Sequence, residues 1–177
     1  SKLFTITAVT NGGTGARPIK DGLSATAYPS GVRGTPVEIN ETVAPIIFHR
    51  KEFRPDSGGA GTHRGGLGQV LEIESAIGAD FELLAAYDRI DFPARGRNGG
   101  GNGEAGSLSF TSGEKLLGKG TQTIPNGKIA RFHTPGGAGF GDPKDRNPDQ
   151  LARDVENGLI TPEAAARDYG YVAGGDD

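Results

Sequence analysis

Arg54-Pro55-Asp56-Ser57-Gly58-Gly59-Ala60-Gly61-Thr62-His63-Arg64-Gly65-Gly66-Leu67-Gly68 runs without a break into Gln69-Val70-Leu71-Glu72-Ile73-Glu74-Ser75. The second stretch alternates apolar with polar side chains, the period of a strand with one wet face. The first has no period at all and is dense in glycine. Three other glycine clusters, Gly12 to Gly15, Gly96 to Gly106 and Gly136 to Gly141, are likewise separated by β-branched and aromatic runs of strand length. Glycine therefore punctuates strands, and the 31 Gly and 11 Pro of the 177 residues do not signal disorder. The expected fold is mainly β, a sandwich or distorted barrel with long Gly-rich loops, with α+β as the alternative.

Working outward, Leu3 to Val9 reads as a strand ending at the Asn11-Gly12-Gly13 turn, and Thr14 to Pro36 as a long ordered loop. Val37 to Thr42 and Ile46 to Arg54 read as short strands split by Pro45. Phe81 to Arg89 is expected to pair with the strand at Gln69 to Ser75 through the turn at Ile77 to Asp80, although Leu83 to Ala86 also suits one helical turn. Ser107 to Thr111, Glu114 to Leu117 and Lys128 to Phe132 complete a meander, the last joined by Pro125-Asn126-Gly127, a hairpin signal. Beyond Pro143 the pattern turns helical. Asn147 and Thr161 are caps, each followed by Pro at the first helical position, and Gly158 separates the pair. The expected plan is a β-rich Gly-loop domain over 1–143, a helical pair over 144–172 and a frayed tail over 173–177.

Composition excludes several classes of function. The formal charge of −3 shows no basic stripe or acidic run, so neither nucleic acid nor an anionic membrane is an expected partner. No apolar run reaches the roughly 18 residues of a membrane span. Zero Cys removes disulfides, thiolate nucleophiles and cysteine metal sites, and fits a reducing compartment, with the cytoplasm as the expected location. The absence of Met predicts a chain trimmed or cut from something longer. Leu, Ile, Val and Phe number only 37, a thin core for this length that predicts reliance on a partner surface.

Short motifs fail on context. Gly101-Asn102-Gly103-Glu104-Ala105-Gly106 fits G-x-G-x-x-G but leads into a strand, where a dinucleotide site needs a helix N-terminus. Gly113 to Gly120 misses a Walker A loop because Gly120 replaces the hydroxyl residue that holds magnesium. His49, His63 and His133 lie far apart with no metal-ligand spacing, and Ser57 lacks a nucleophile's strand-to-helix turn. What stands out is charge inside the glycine loops: Arg17, Lys20 and Asp21; Arg33; Arg54, Asp56, His63 and Arg64; and Asp88, Arg89, Asp91, Arg95 and Arg97. Two readings are open. Glycine lets backbone N–H groups approach an anion while Arg adds paired donors, so the loops suit a carboxylate or phosphate. Alternatively, each Arg pairs with an Asp to stiffen a loop or dock a subunit.

Gly12-Gly13-Thr14-Gly15-Ala16-Arg17-Pro18 with Lys20 to Thr26, Pro29 to Glu38, Arg54 to Gly68, and Thr134-Pro135-Gly136-Gly137-Ala138-Gly139-Phe140-Gly141-Asp142-Pro143 occur in the order found in the C-terminal region of the hydantoinase B/oxoprolinase family. The chain resembles that region from about Gly12 to Gly170, with Thr14 where many relatives carry Met. The resemblance implies part of a subunit that works with a hydantoinase A-type partner and with its own N-terminal part. Such enzymes use ATP to open cyclic amides such as 5-oxoproline, hydantoins or lactams, and related subunits serve acetone and acetophenone carboxylases. It implies that ATP is held mainly by the partner and that the divalent metal's ligands lie outside this chain, so no cofactor is expected on this piece alone. No catalytic residue follows from it. The loops carrying Arg17, Lys20, Asp21, Arg33, Arg54, Asp56, His63 and Arg64 are expected to shape an active-site wall or subunit contact. Arg17, Arg54 or Arg64 would stabilise a phosphorylated intermediate, with Asp21 and Asp56 orienting. The rival expectation is an assembly module whose charges are satisfied ion pairs.

Overall fold

The computed structural model describes residues 4–27, 31 and 34–171; Arg33 and the tail over 173–177 lie outside the described residues. The elements in order are α1 (Val37–Val43), β1 (Ile46–Phe53), β2 (Gln69–Ser75), β3 (Phe81–Ala86), β4 (Ser107–Phe110), β5 (Lys119–Ile124), β6 (Ala130–His133), a 3-10 turn (Pro143–Asp145), α2 (Pro148–Glu156) and α3 (Pro162–Tyr169).

The strands form two open antiparallel sheets, β1-β2-β6-β4 and β3-β5. The mainly β expectation holds, as a small sandwich and not a closed barrel. Period-two patterning turns Leu71 and Phe132, with Leu108 and Ala130, toward Ala85 and Ile124 of the smaller sheet, and these six form the core. Tyr87 stacks on Phe132 with ring centroids 5.8 Å apart.

Several local expectations are corrected. Phe4 to Val9 forms no strand, and residues 1–3 are not described. Val37–Val43 is a helix: Val37, Asn40 and Ala44 turn inward at helical spacing while Ile39 and Val43 face out, and Pro45 stops it. β3 pairs with β5 and not with β2, because the turn at Ile77 to Asp80 carries the chain from one sheet to the other. For the same reason Pro125-Asn126-Gly127 is a crossover turn, closed by Lys128 N–H to Pro125 O at 3.1 Å, and not a hairpin within one sheet. Glu114 to Leu117 is not a strand; β5 begins two residues later with almost no apolar side chains.

The glycine segments build a second layer with a core made of backbone. Thr134 to Gly141 runs through its middle. Gly59 N–H donates to Gly137 O at 2.8 Å, Gly137 N–H to Gly66 O at 2.9 Å, Gly66 N–H to Thr14 O at 2.9 Å, and Gly139 N–H to Gly101 O at 2.9 Å. The segments lie so close that a Cβ on Gly13 would overlap the Gly66 carbonyl, one on Gly137 the Thr14 carbonyl, and one on Gly136 the Ser57 carbonyl. Backbone groups thus satisfy each other at a spacing that only glycine allows. The region expected to be loops is therefore largely interior: Gly59, Gly61 and Arg64 to Gly68 are buried, with Leu67 fully so.

Candidate functional site

Three of the charged residues in the glycine loops, Asp21, Asp56 and Arg64, meet the C-terminal helical segment. α2 starts where Asn147 Oδ1 accepts from Gln150 N at 3.1 Å, and its inward face carries Leu151, Asp154 and Val155. α3 starts where Thr161 Oγ1 accepts from Ala164 N at 3.1 Å and ends at Gly170 in the left-handed conformation. Leu151, Ile160, Ala164 and Ala165 form the small core between them.

Asp154, placed among these apolar positions, is met by two guanidiniums. Arg146 Nη2 donates to Asp154 Oδ2 at 2.6 Å, and Arg64 Nε donates to the same oxygen at 3.2 Å. Arg146 also grips Asp21 in fork geometry, Nη1 to Oδ1 at 3.0 Å and Nη2 to Oδ2 at 2.8 Å, and reaches Thr62 O at 3.3 Å. Asp21 Oδ1 further accepts the Arg64 backbone N–H at 2.8 Å, and His63 Nδ1 lies 3.8 Å from it. The Arg146 side chain is 1% exposed, against 31% for Asp21 and 11% for Asp154.

Burial raises the Asp21 carboxyl, but the Arg146 hydrogen bond and charge, with help from Arg64, outweigh it and hold it below the ordinary carboxylate value. Burial likewise opposes the Arg146 charge, and Asp21 and Asp154 overcome it, so its affinity for the proton rises. Tyr169 packs beside the cluster, where burial pushes its phenol up to about 12.

Asp56 holds the other end of the helical pair. With φ at 60°, it turns its carboxylate onto Thr161, accepting the backbone N–H at 2.8 Å and Oγ1–H at 2.9 Å. Arg54 donates from Nη1 to Ala105 O at 2.7 Å, with Glu104 Oε2 3.8 Å from its Nη2. Arg17 and Lys20 close a two-residue turn, N–H to O at 2.9 and 3.2 Å, whose tip Ile19 is 88% exposed. Ser57 is fully buried and spent on the backbone, donating to Arg54 O at 2.6 Å and accepting Gly68 N–H at 3.0 Å.

The structure thus brings Asp21, His63 and Arg64 together, anchors Arg54 and Asp56 separately, and leaves Arg17 and Lys20 at a projecting turn. Sequence reasoning missed Arg146 and Asp154. A signal for Asp154 was present, since an Asp three residues from Leu151 and one from Val155 sits on the apolar face of its helix. The histidines do not converge: His49 Nε2 lies 2.8 Å from Glu74, and His133 Nδ1 lies 3.2 Å from Ser107 Oγ. Among the described residues no three His, Cys, Asp or Glu side chains come together to hold a metal, and no helix is long and apolar enough to cross a membrane. An open cleft between Thr10, Thr35, Asn40, Phe48, Lys51 and Gln69 contains none of the sequence-predicted charges.

A model of the hydantoinase B/oxoprolinase family matches residues 1–143. The chain is 39% identical over 135 residues to 5-oxoprolinase 1 of Arabidopsis thaliana, covering 73% of this chain and 10% of that one. It is 32% identical over 147 residues to the caprolactamase subunit beta of Pseudomonas jessenii, covering 78% of this chain and 25% of the relative. The crystal structure of the ATP-dependent caprolactamase from the same organism superposes with a TM-score of 0.73 at 28% identity, over 94% of this chain and 30% of that one. The acetone carboxylase alpha subunit of Xanthobacter autotrophicus is 28% identical over 206 residues, 90% of this chain and 26% of the relative. The chain spans a tenth to about a quarter of the length of these curated relatives.

Proposed function

The chain belongs to the hydantoinase B/oxoprolinase family, and on that premise we propose that it is part of a subunit of an ATP-dependent cyclic amidohydrolase. Its substrate class is a 5-oxoproline, hydantoin or lactam ring, and it works with the rest of its own subunit and with a hydantoinase A-type partner, in the cytoplasm. The observation that carries this reading is the agreement of its similarities to a 5-oxoprolinase and a caprolactamase subunit over most of the chain. ATP and a divalent metal belong to the complete complex, and no side chain described above is assigned to either.

The ion-pair geometry supports a scaffolding share for this piece: Asp21, Asp56 and Arg64 hold the helical pair to the glycine layer, and Arg54 ties neighbouring segments of that layer. Arg17 and Lys20, on the projecting turn, remain the residues proposed to face chemistry or a partner. The second reading, the equivalent piece of an acetone-type carboxylase, is favoured by the similarity to the acetone carboxylase alpha subunit. The complete subunit, purified with its hydantoinase A-type partner, separates the two. Ring-opened product from 5-oxoproline, hydantoin or caprolactam supports the hydrolase, whereas carboxylated product from a ketone and bicarbonate supports the carboxylase.

A further inference from the structure

The chain carries five Asn-Gly pairs, beginning at Asn11, Asn98, Asn102, Asn126 and Asn157. Each has the composition for one intramolecular reaction, because glycine leaves the backbone nitrogen that follows Asn unshielded by a side chain. That nitrogen attacks the Asn side-chain amide only where both groups are free and the backbone between them has room to turn. As sequence the five pairs are alike, and the fold separates them.

Asn102 and Asn157 are held at both reacting groups. Asn102 Oδ1 accepts the Gly96 N–H at 3.0 Å, and Gly103 N–H donates to Ala94 O at 2.9 Å. Asn157 Nδ2 donates to Arg153 O at 2.8 Å, and Gly158 N–H to Val155 O at 3.0 Å. Asn11 is partnered within the glycine layer, where its carbonyl accepts from Thr134 Oγ1 at 3.1 Å. A Cβ on Gly12 would stand 2.4 Å from Pro135 O, so the backbone there has no room to turn. Asn98 sits at a φ of 51° in a turn clamped through Arg97, whose N–H donates to Gly139 O at 3.1 Å and whose carbonyl accepts from Gly100 at 2.9 Å and Gly141 at 3.0 Å.

Asn126 differs on each count. Its side-chain amide and the Gly127 N–H make no hydrogen bond with any of the described residues. Both residues are exposed, and a Cβ on Gly127 would meet open space. The turn is held by Lys128 N–H to Pro125 O at 3.1 Å and by Asn126 N–H to Asp80 Oδ1 at 2.8 Å, and neither bond engages a reacting atom.

We propose that Asn126 is a site of spontaneous covalent modification in the folded chain, converted to aspartate and isoaspartate by its own backbone. Gly127 N bonds to Asn126 Cγ and gives up its proton, the Cγ–Nδ2 bond breaks, and the side-chain nitrogen leaves with that proton as ammonia. Water then opens the cyclic imide. Cleavage at Cγ restores the main chain with an aspartate side chain, and cleavage at the main-chain carbonyl leaves isoaspartate. Either product sets a new carboxylate beside Asp80, whose own carboxylate accepts the Asn126 N–H, and the two like charges repel. Isoaspartate also inserts a methylene into the backbone between β5 and β6, where the chain crosses from one sheet to the other.

The test incubates the complete subunit at mildly alkaline pH and follows its peptides by mass spectrometry, with fragmentation that tells isoaspartate from aspartate. Asn126 is expected to convert about tenfold or more faster than Asn102 and Asn157, whose hydrogen bonds must open first. It should also convert ahead of Asn11 and Asn98. In urea, where the fold is gone, the five rates should converge. Gly127→Ala, which shields the attacking nitrogen, should slow the reaction, whereas Asp80→Ala, which leaves both reacting groups untouched, should not. An unreacted Asn126 in the native subunit, conversion of Asn102 or Asn157 at the same rate, or a ranking that persists in urea overturns the proposal.

Discussion

Arg146 and Asp21 are joined by two parallel hydrogen bonds, at 3.0 and 2.8 Å, across 125 positions of the chain. Because Arg146 also binds Asp154 on α2, one guanidinium fastens the helical pair to the first glycine segment. Removing it strands two carboxylates beside a single remaining guanidinium, Arg64.

Arg146→Ala is therefore expected to destabilise the chain by about 3 kcal/mol, and Arg146→Lys by somewhat less, since an ammonium cannot make the fork. Urea unfolding of the two variants against the parent measures this. A loss below about 0.5 kcal/mol, the level of an exposed pair, would contradict a structural clasp.

The same clasp gives a pH dependence of known sign. The Asp21 carboxyl is held below its ordinary value of 3.8 in the folded chain, so its contribution is present above that value and is lost as pH falls through the lower folded value. Acid should loosen α2 and α3 below about pH 4, visible as faster amide exchange in Leu151 to Tyr169. Asp21→Asn should weaken the helical pair at neutral pH and flatten this acid dependence.

The backbone core makes an unequal prediction for glycines. Gly137→Ala places a methyl on the Thr14 carbonyl and should cost about 3 kcal/mol or more. Gly15→Ala meets only Ala138 O at 3.9 Å and should be neutral or slightly stabilising. Thermal unfolding of the two variants separates them; equal effects would contradict the layer.

Asp56 holds Thr161 through two bonds and sits at positive φ. Asp56→Ala loses both bonds and strains the backbone, for about 2 kcal/mol, whereas Asp56→Asn tolerates that φ and keeps one acceptor, for about 1 kcal/mol. Helix content by circular dichroism during urea unfolding reads the difference.

Much of the sandwich was legible because its strands carry a period: β2 reads directly from Gln69 to Ser75, and the caps Asn147 and Thr161 fix where the helices start. α1 was misread because Val37, Ile39 and Val43 mimic alternation, while the burial that decides the matter falls on Asn40 and Ala44. β5 was missed because a Lys-Gly-Thr-Gln-Thr run buries only Ile124. Strand pairing was the least legible, since turn residues show that the chain reverses but not which sheet receives it. At the site, the charged loop residues were visible, but the partners of Asp21, Asp56 and Arg64 lie 125, 105 and 90 positions away in the helical tail. The glycine density was read as loop and anion cradle; packed side by side, the same glycines are the interior.

The most direct measurement is ATP consumption and ring opening followed together in the complete complex, with 5-oxoproline, hydantoin and caprolactam as alternative substrates. ATP hydrolysis that depends on one of these rings and matches the ring opened mole for mole is the expected result. ATP hydrolysis that responds to none of them, or that is driven only by a ketone with bicarbonate, would contradict membership of an ATP-dependent cyclic amidohydrolase.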